Sequence, residues 1–389
     1  MKIAILRTDG SDVDHRQYNS QEIGLARGLT GQGHTVNIIT AGGGSDNPPV
    51  EVIDSQSGSP ITIIRTGYRR IPVLEYGVLT GLRELLRQGQ YDLVHVSEEN
   101  NPAATMVAFN CRRLGIPYVI YHGMYVVPSG RARTWYDRLH GYLLAPAIRR
   151  NVRAFLAKTT TARDFLRSRG ISDVQVLPVG LDTTRFETMT ESSPHEGMLQ
   201  ELRSRYSRIL LYVGRLEQRR NPMLLVDIAA AMRDDTALIL VGNGPMEAKV
   251  RQRVAEQGLD NVVMTGALGQ EELPAIYRHS DVFLLPSDYE IYGMVLLEAL
   301  YFGVPCVTTA TAGGVDVIGG NQAGEVVDGF DLDQWIEAVR KTSLAGADAT
   351  YRERLACLVK QRFSWHRIAE DYLAHVALTN GSHDRSKVL

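Results

Sequence analysis

The chain predicts a two-domain α/β architecture, each domain a parallel sheet covered on both faces by helices, and three observations carry that prediction. Short runs rich in Val and Ile alternate with helical stretches along most of the sequence. The runs are apolar at nearly every position, the pattern of strands buried on both faces of a parallel sheet. The length of 389 residues suits two or three domains at roughly 100–200 residues each.

In chain order, the first strand series reads KIAIL (2–6), HTVNIIT (34–40), DLVHV (92–96), PYVIYH (117–122), AFLA (154–157) and VQVLPV (174–179), with helical segments such as 20–31 and 102–114 between them. Strand–helix alternation implies a doubly wound domain. Residues 187–200, ETMTESSPHEGMLQ, are polar, contain Pro and Gly and lack periodicity, which reads as an interdomain crossing. A second series follows: ILLYVG (209–214), ALILVG (237–242), NVVMTG (261–266), DVFLLP (281–286) and VPCVTT (304–309). The expected organisation is two Rossmann-like domains, 1–186 and 207–365, joined by a linker at 187–206. A polar tail is expected at 380–389. Ligands of such sheets bind beyond the carboxyl ends of the strands, so the expected site is a cleft with the two domains facing across it.

Composition narrows the function classes. Hydrophobic residues are 44% and charged residues 22%, close to the globular average, which excludes a mainly disordered chain, a coiled coil or a collagen-like fibre. Mean hydropathy is −0.14, and no stretch approaches the roughly 20 apolar residues of a membrane-spanning helix. The apolar run of MKIAILRTDG is too short for a secretory signal. Cys111, Cys306 and Cys357 lie far apart and form no metal-binding spacing; they suit a reducing cytosol, the expected location. The net charge of −2 makes no case for nucleic acid. One cluster departs from this balance. Residues 131–169 carry ten Lys/Arg against Asp137 and Asp164, with Trp135, Tyr136, Leu139, Tyr142 and Leu143 interleaved. Two readings stay open: a peripheral contact with the inner face of a membrane or an anionic acceptor, and a solvated Arg-rich helix on its own domain.

The stretch with most chemistry is SDYEIYGMVLLEALYFGVPCVTT (287–309). Glu290 falls in a strand-to-helix turn, Gly293 permits a tight backbone there, and a helix Met294–Phe302 is stopped by Gly303 and Pro305. Such a turn aims free N–H groups and a helix N-terminus at one point, an arrangement that binds phosphate. Glu290 and Glu298 flank that point. A carboxylate beside a phosphate needs a reason, and accepting hydrogen bonds from sugar hydroxyls is one.

Here the sequence resembles the retaining glycosyltransferases of family 4, which have the GT-B fold. The Glu-x7-Glu pattern is followed by G-x-P-x-V. YVGRLEQRRNP (212–222), VGNGP (241–245), TGALGQEELPAIY (265–277), the Gly313–Gly314 pair and FSWHRIAEDY (363–372) then match family segments in order and spacing. The resemblance implies a hexosyl transfer from a nucleotide diphosphate sugar to an acceptor hydroxyl. UDP is the first expectation for the nucleotide and GDP the second. It implies an acceptor-binding first domain, a donor-binding second domain and a final helix, 366–379, that crosses back to the first. It also implies that Glu298 holds the ribose hydroxyls, that Glu290 holds the transferred sugar, and that Arg215 and Arg220 neutralise the departing diphosphate. Gly214, Gly242, Tyr292, Gly293, Met294 and Val295 would complete the donor site. His122, at the end of PYVIYH, matches the family's first-domain histidine near the sugar.

Three positions depart from the family pattern. Ile291 stands where Gly or Pro is common, and Arg220 where Lys is usual. The first loop, RTDGSDVDHRQYNSQEIG (7–24), keeps Gly10 of a glycine pair. Within that loop Gly10, Asp12, His15 and Asn19 are candidates to meet the acceptor. The Asp12-Val13-Asp14 triplet resembles a metal-binding DxD, but arginines and a helix terminus would serve the phosphates, so neither metal nor other cofactor is expected. Two alternatives share the architecture: a nucleotide-sugar epimerase, and a catalytically silent binding subunit.

Overall fold

The computed structural model describes residues 1–15, 20–42, 47–53, 58–71, 76–98, 102–125, 139, 144–149, 151–187 and 194–378. The chain divides into two compact units. The first comprises Met1–Gly180 and the chain from Trp365 onward; the second comprises Leu181–Ser364.

The first unit contains β1 (Lys2–Leu6), β2 (Thr35–Ala41), β3 (Val50–Ile53), β4 (Ile61–Thr66), β5 (Tyr68–Ile71), β6 (Tyr76–Leu79), β7 (Leu93–Ser97), β8 (Tyr118–His122), β9 (Val152–Ala157) and β10 (Val174–Val176). Eight of these form one sheet in the order β10-β9-β8-β7-β1-β2-β4-β3, and β5 and β6 form a separate antiparallel ribbon. Only β3 runs antiparallel in the large sheet, on its edge against β4. Ile3, Ile5, Val94 and Val119 are completely buried, as helices on both sheet faces require; each such side chain contributes about 1.5–3 kcal/mol. The order turns from one direction to the other between β1 and β7, so the loops leaving those two strands part and open a crevice at their carboxyl ends.

The last helix, Trp365–Leu378, belongs to this first unit and packs on the helix Gln21–Gly31. Two glycines make the approach possible. A Cβ on Gly24 would fall 2.0 Å from the Trp365 indole, and one on Gly28 would fall 2.3 Å from the Trp365 carbonyl oxygen. Arg153 Nε donates to the Val376 carbonyl at 3.0 Å, tying the far end of the helix to β9.

The second unit contains β11 (Arg208–Val213), β12 (Thr236–Val241), β13 (Val262–Gly266), β14 (Val282–Leu285), β15 (Cys306–Thr309) and β16 (Gly324–Val327). They form one sheet in the order β13-β12-β11-β14-β15-β16, parallel throughout. Its reversal point lies between β11 and β14.

The strand expectations for the long apolar runs agree with these positions to within a few residues. The sequence reading does not mark β3 to β6 or β16. β3, β5, β6 and β16 have four residues each, and Val50 and Val52 of the edge strand β3 are 58% and 63% exposed, so no long apolar run announces them; β4, ITIIRT, lies inside the sheet between β2 and β3 with Ile61 and Ile63 fully buried, and the sequence reading passed over it. The expected linker at 187–206 is corrected. Its second half is a helix, Glu196–Arg205, that buries Leu199 and Leu202; two leucines three positions apart in a polar stretch are too sparse to show as periodicity. The boundary between the compact units falls at Gly180–Leu181 rather than after 186.

Candidate functional site

In the second unit, the loops leaving β11 and β14 stand on either side of the reversal point. Gly214 follows β11 and Gly242 follows β12. A Cβ on Gly242, whose φ is +130°, would lie 2.0 Å from the Gly214 carbonyl oxygen, so the two loop bases meet backbone to backbone and no larger residue fits. Tyr212, fully buried in β11, donates its hydroxyl to the Arg215 carbonyl at 2.8 Å. Burial raises this phenol well above its ordinary pKa, so it stays a donor and holds the backbone of Arg215. The Arg215 side chain is 72% exposed.

A 3-10 turn, Gln218–Arg220, brings Arg220 back over the loop from β14. Its guanidinium touches the Glu290 carboxylate and donates to Ser287 Oγ at 3.2 Å. Two further contacts join the loops: Asp288 N–H donates to the Arg219 carbonyl at 2.8 Å, and Arg219 Nη1 to the Tyr289 carbonyl at 3.3 Å. Glu217 stands within ion-pair range of all three arginines, 2.8 Å from Arg219 and 3.9 Å from each of Arg215 and Arg220. The result is a compact ionic cluster in which the cations of one loop and the carboxylate of the other are already assembled. Preassembled charge is what a polar reaction uses, because nothing needs to reorganise when charge develops.

Behind the cluster, Gly293 takes the left-handed φ of +77° and opens the helix Met294–Tyr301. Tyr292 is buried, with Met294 and Val295 half-buried in the first turn. The expected strand-to-helix turn is present, with no side-chain cap on the helix N-terminus among the described residues. Gly313 supports it from below. Its N–H donates to the Glu290 carbonyl at 3.4 Å, and a Cβ there would lie 2.0 Å from the Tyr292 carbonyl oxygen. Glu298, inside the helix, is 3% exposed, and its Oε2 accepts from the Tyr277 hydroxyl at 3.1 Å. It takes no direct part in the Arg220–Glu290 contact, so Glu290 and Glu298 serve separate points.

In the first unit, a cavity of about 400 Å³ opens at the reversal point between β1 and β7. Arg7 and Asp9 reach it from β1, Glu98 from β7 and Lys158 from β9, while Trp365 and Ile368 wall it from the last helix. Arg7 pairs with Asp9 at 3.2 Å and Glu22 at 3.5 Å. Burial alone would raise the Asp9 carboxyl, but hydrogen bonds from Ser11 and the Arg7 charge outweigh it and hold Asp9 below its usual range. His95 is 3% exposed and lies between the rings of Tyr121 and Tyr372, at 5.5 and 5.6 Å. Burial, with the Lys158 charge adding to it, pushes this imidazole down to about 3, so it is neutral at ordinary pH.

Beside the cavity, His122 ends β8. It is 1% exposed, stacks on Phe165 with centroids 5.7 Å apart, and places Nδ1 2.8 Å from Glu98 Oε2. Glu98 Oε1 accepts the Gly123 N–H at 3.0 Å. Burial would raise the Glu98 carboxyl, but the His122 ring, Lys158 and the Gly123 N–H together bring it down to about 2.

The first-loop candidates have other duties. Asp12 accepts from Arg65 Nε at 2.8 Å, and Arg65, 7% exposed, also reaches Glu51 at 2.8 Å. His15 lies 3.2 Å from Glu51. Gly10, at φ +86°, sits against the Tyr68 ring, where a Cβ would approach within 2.5 Å. Asp12, His15 and Gly10 thus brace the loop against β3, β4 and β5, and none lines this cavity. Asn19 lies outside the described residues. So does most of 131–143, on which the membrane reading of 131–169 rests. Among the described residues no helix is long and apolar enough to cross a membrane, and no cluster of His, Cys, Asp or Glu has the geometry of a metal site.

Sequence reasoning passed over Arg7, Glu98, Lys158, Tyr277 and Trp365. The rule that drew attention to His122, a polar residue just beyond an apolar strand, applies equally to Glu98 after DLVHV and to Lys158 after AFLA. Tyr277 and Trp365 had no such signal, because an aromatic residue in a helix reads first as core.

Comparisons with known proteins agree with this arrangement. Residues 200–355 match the family described as glycosyl transferases group 1, and residues 23–185 match glycosyltransferase family 4. The chain is 27% identical over 329 residues to a GDP-mannose-dependent alpha-mannosyltransferase of Corynebacterium glutamicum, covering 81% of this chain and 75% of that protein. It is 31% identical over 204 residues to a GDP-mannose-dependent alpha-(1-6)-phosphatidylinositol monomannoside mannosyltransferase of Mycobacterium tuberculosis; that match spans about half of each, 49% of this chain and 51% of the relative. Among solved structures, the sucrose-phosphate synthase of Thermosynechococcus elongatus superposes with a TM-score of 0.69 at 20% identity, covering 98% of this chain and 100% of that one. This last likeness speaks for the fold.

Proposed function

The chain belongs to the family-4 glycosyltransferases of the GT-B fold, and on that premise we propose that it moves a hexosyl group from a nucleoside diphosphate sugar to an acceptor hydroxyl with retention of anomeric configuration. The observation that carries the reading is the Arg220–Glu290 contact between the loops of β11 and β14, with the exposed Arg215 on the same loop and the helix N-terminus at Gly293 adjoining.

The steps follow from charge. The diphosphate docks on Arg215, Arg220 and the N–H groups of the Met294 turn, where cations and a helix N-terminus both favour an anion. Glu298 accepts from the ribose hydroxyls and Glu290 from hydroxyls of the transferred sugar. The bond from the anomeric carbon to the β-phosphate oxygen then breaks, and its electron pair stays on the phosphate. The acceptor oxygen bonds to the same face of that carbon, and its proton passes to the phosphate oxygen just released. Negative charge grows on the leaving group as the bond lengthens, so the arginines bind the transition state better than the ground state. The scheme uses no metal. His122 contacts a hydroxyl of the transferred sugar, and the cavity lined by Arg7, Glu98 and Lys158 takes part of the acceptor.

The sequence expectation of UDP is revised within this proposal. Two relatives are named for GDP-mannose, which favours that donor. The test is a thermal-shift and calorimetric screen of GDP, UDP and their hexoses, followed by mass spectrometry of hexose addition to a panel of hydroxyl acceptors. Stabilisation by GDP and GDP-mannose with transfer of hexose supports the proposal; a UDP-sugar acting instead overturns only the choice of nucleotide. Absence of binding by any nucleoside diphosphate overturns the function; a Glu290→Ala enzyme with undiminished transfer overturns the role assigned to Glu290.

A further inference from the structure

The Glu98–His122 pair bears on the chemistry in a way that family membership does not specify. Glu98 adopts φ +64°, in the left-handed region that a non-glycine residue seldom occupies. Its carboxylate Oε1 accepts the Gly123 N–H at 3.0 Å, and Oε2 stands at ion-pair distance, 2.8 Å, from His122 Nδ1. The backbone of His122 is pinned as well, its carbonyl accepting the Lys158 N–H at 2.8 Å, and its ring is clamped against Phe165. Both ring nitrogens are buried and, like Glu98 Oε2, meet no partner in hydrogen-bond geometry among the described residues; Nε2, on the side away from Glu98, has no carboxylate near it either. A buried nitrogen left without a partner calls for an explanation, and a ligand group is one of the few.

We propose that Glu98 is a positioning residue. It keeps a proton on Nδ1 of His122, so that a ring carrying a single proton presents Nε2 as a bare acceptor to a hydroxyl of the transferred hexose. An ionised carboxylate has only lone pairs to offer, so the ring atom facing it must carry hydrogen. The opposite tautomer would set a lone pair of Nδ1 against the carboxylate and turn Nε2 into a donor. Glu98 is held low by the His122 ring, Lys158 and the Gly123 N–H, so it faces the ring as a carboxylate. The left-handed backbone is the local compromise that places the carboxylate on the ring nitrogen. The inference rests on the reading of His122 as a contact of the transferred sugar.

The test uses the full chain labelled with 15N-histidine. Long-range proton–nitrogen spectra report which ring nitrogen carries hydrogen, and the His122 signals are identified by their loss in His122→Gln. The wild-type protein is expected to show a protonated Nδ1 and a bare Nε2. In Glu98→Gln and Glu98→Asn the Nε2-protonated form should grow; asparagine tolerates the left-handed backbone, so at least one variant is expected to fold. Each is also expected to lose about 10- to 100-fold in kcat, the range for removing the partner that orients a functional imidazole, with unchanged affinity for GDP or UDP. The double variant with His122→Gln should lose no more than His122→Gln alone. A wild-type ring protonated on Nε2, or a tautomer unmoved by both Glu98 substitutions, overturns the proposal. The expected tautomer combined with full activity in His122→Gln would instead remove His122 from the sugar contact and leave the Glu98 assignment standing.

Discussion

Acidification should destabilise the first unit through one residue, His95. This imidazole is 3% exposed, its neighbours are the rings of Tyr121 and Tyr372, and the Lys158 charge lies close by. Burial holds it at about 3, against 6.5 for an unperturbed histidine. In the unfolded chain the ring takes a proton below about pH 6.5; in the folded chain it stays neutral until about pH 3. Between those values the unfolded state binds more protons, so stability falls as pH falls. From about pH 7.5 to about pH 5 the loss attributable to His95 is about 2 kcal/mol. The assay is urea unfolding followed by circular dichroism at both pH values, for the wild type and for His95→Phe, which fills similar space without a titrating group. His34 and His375 are also depressed by burial, but they are present in both proteins and cancel in the difference. Glu98 and Asp9, held low, lose stabilising charge only below the ordinary carboxylate range of about 4 and leave this window untouched. The wild type should lose about 2 kcal/mol more than the variant across the window. Equal losses in the two proteins would refute the argument and mean that water or a conformational change reaches His95 in the folded state.

Arg220→Ala should lower kcat for hexose transfer by about 10²- to 10³-fold, as removal of a preorganised charge stabiliser does, whereas Arg220→Lys should recover part of the rate, because charge returns without the planar guanidinium whose Nη1 reaches both Ser287 and Glu290; steady-state transfer assays separate the two. Glu298→Ala should weaken nucleoside diphosphate binding by roughly 10- to 100-fold, the loss of one or two hydrogen bonds to a buried carboxylate; titration calorimetry reads it, and unchanged affinity would remove Glu298 from the ribose site. Gly24→Ala drives a methyl group into the Trp365 indole at 2.0 Å; it should cost about 1–3 kcal/mol of overpacking, seen as a lower melting temperature.

The two sites were unequally legible. Most of the donor-side residues are consecutive in the sequence: YVGRLEQRRNP and SDYEIYGMVLLEAL each form one loop and the start of a helix, so local spacing already places Arg220, Glu290, Gly293 and Glu298 on the right elements. The first-unit cavity draws on Arg7, His95, Glu98, Lys158 and Trp365, five residues from four separate stretches, since His95 and Glu98 share β7 and its end, and no spacing relates the four stretches. The first loop shows the limit from the opposite side. Its polar residues looked available for a ligand, yet Asp12 and His15 turn inward to Arg65 and Glu51, partners some 40 to 50 positions away that the local sequence does not name.

The identity of the buried strands, the alternation that makes them parallel sheets, and the chemistry of the two motif loops were determined by the sequence alone. Strand burial and turn geometry are short-range properties, set by side chains within a few residues of one another. Which loops become neighbours was decided by tertiary structure. Strand order puts β11 beside β14 and β1 beside β7, and that order is a property of how the whole sheet closes its core. Only once it is set does Arg220 meet Glu290, Glu98 meet His122, and the last helix bring Trp365 to the wall of a cavity that opens more than 300 residues earlier.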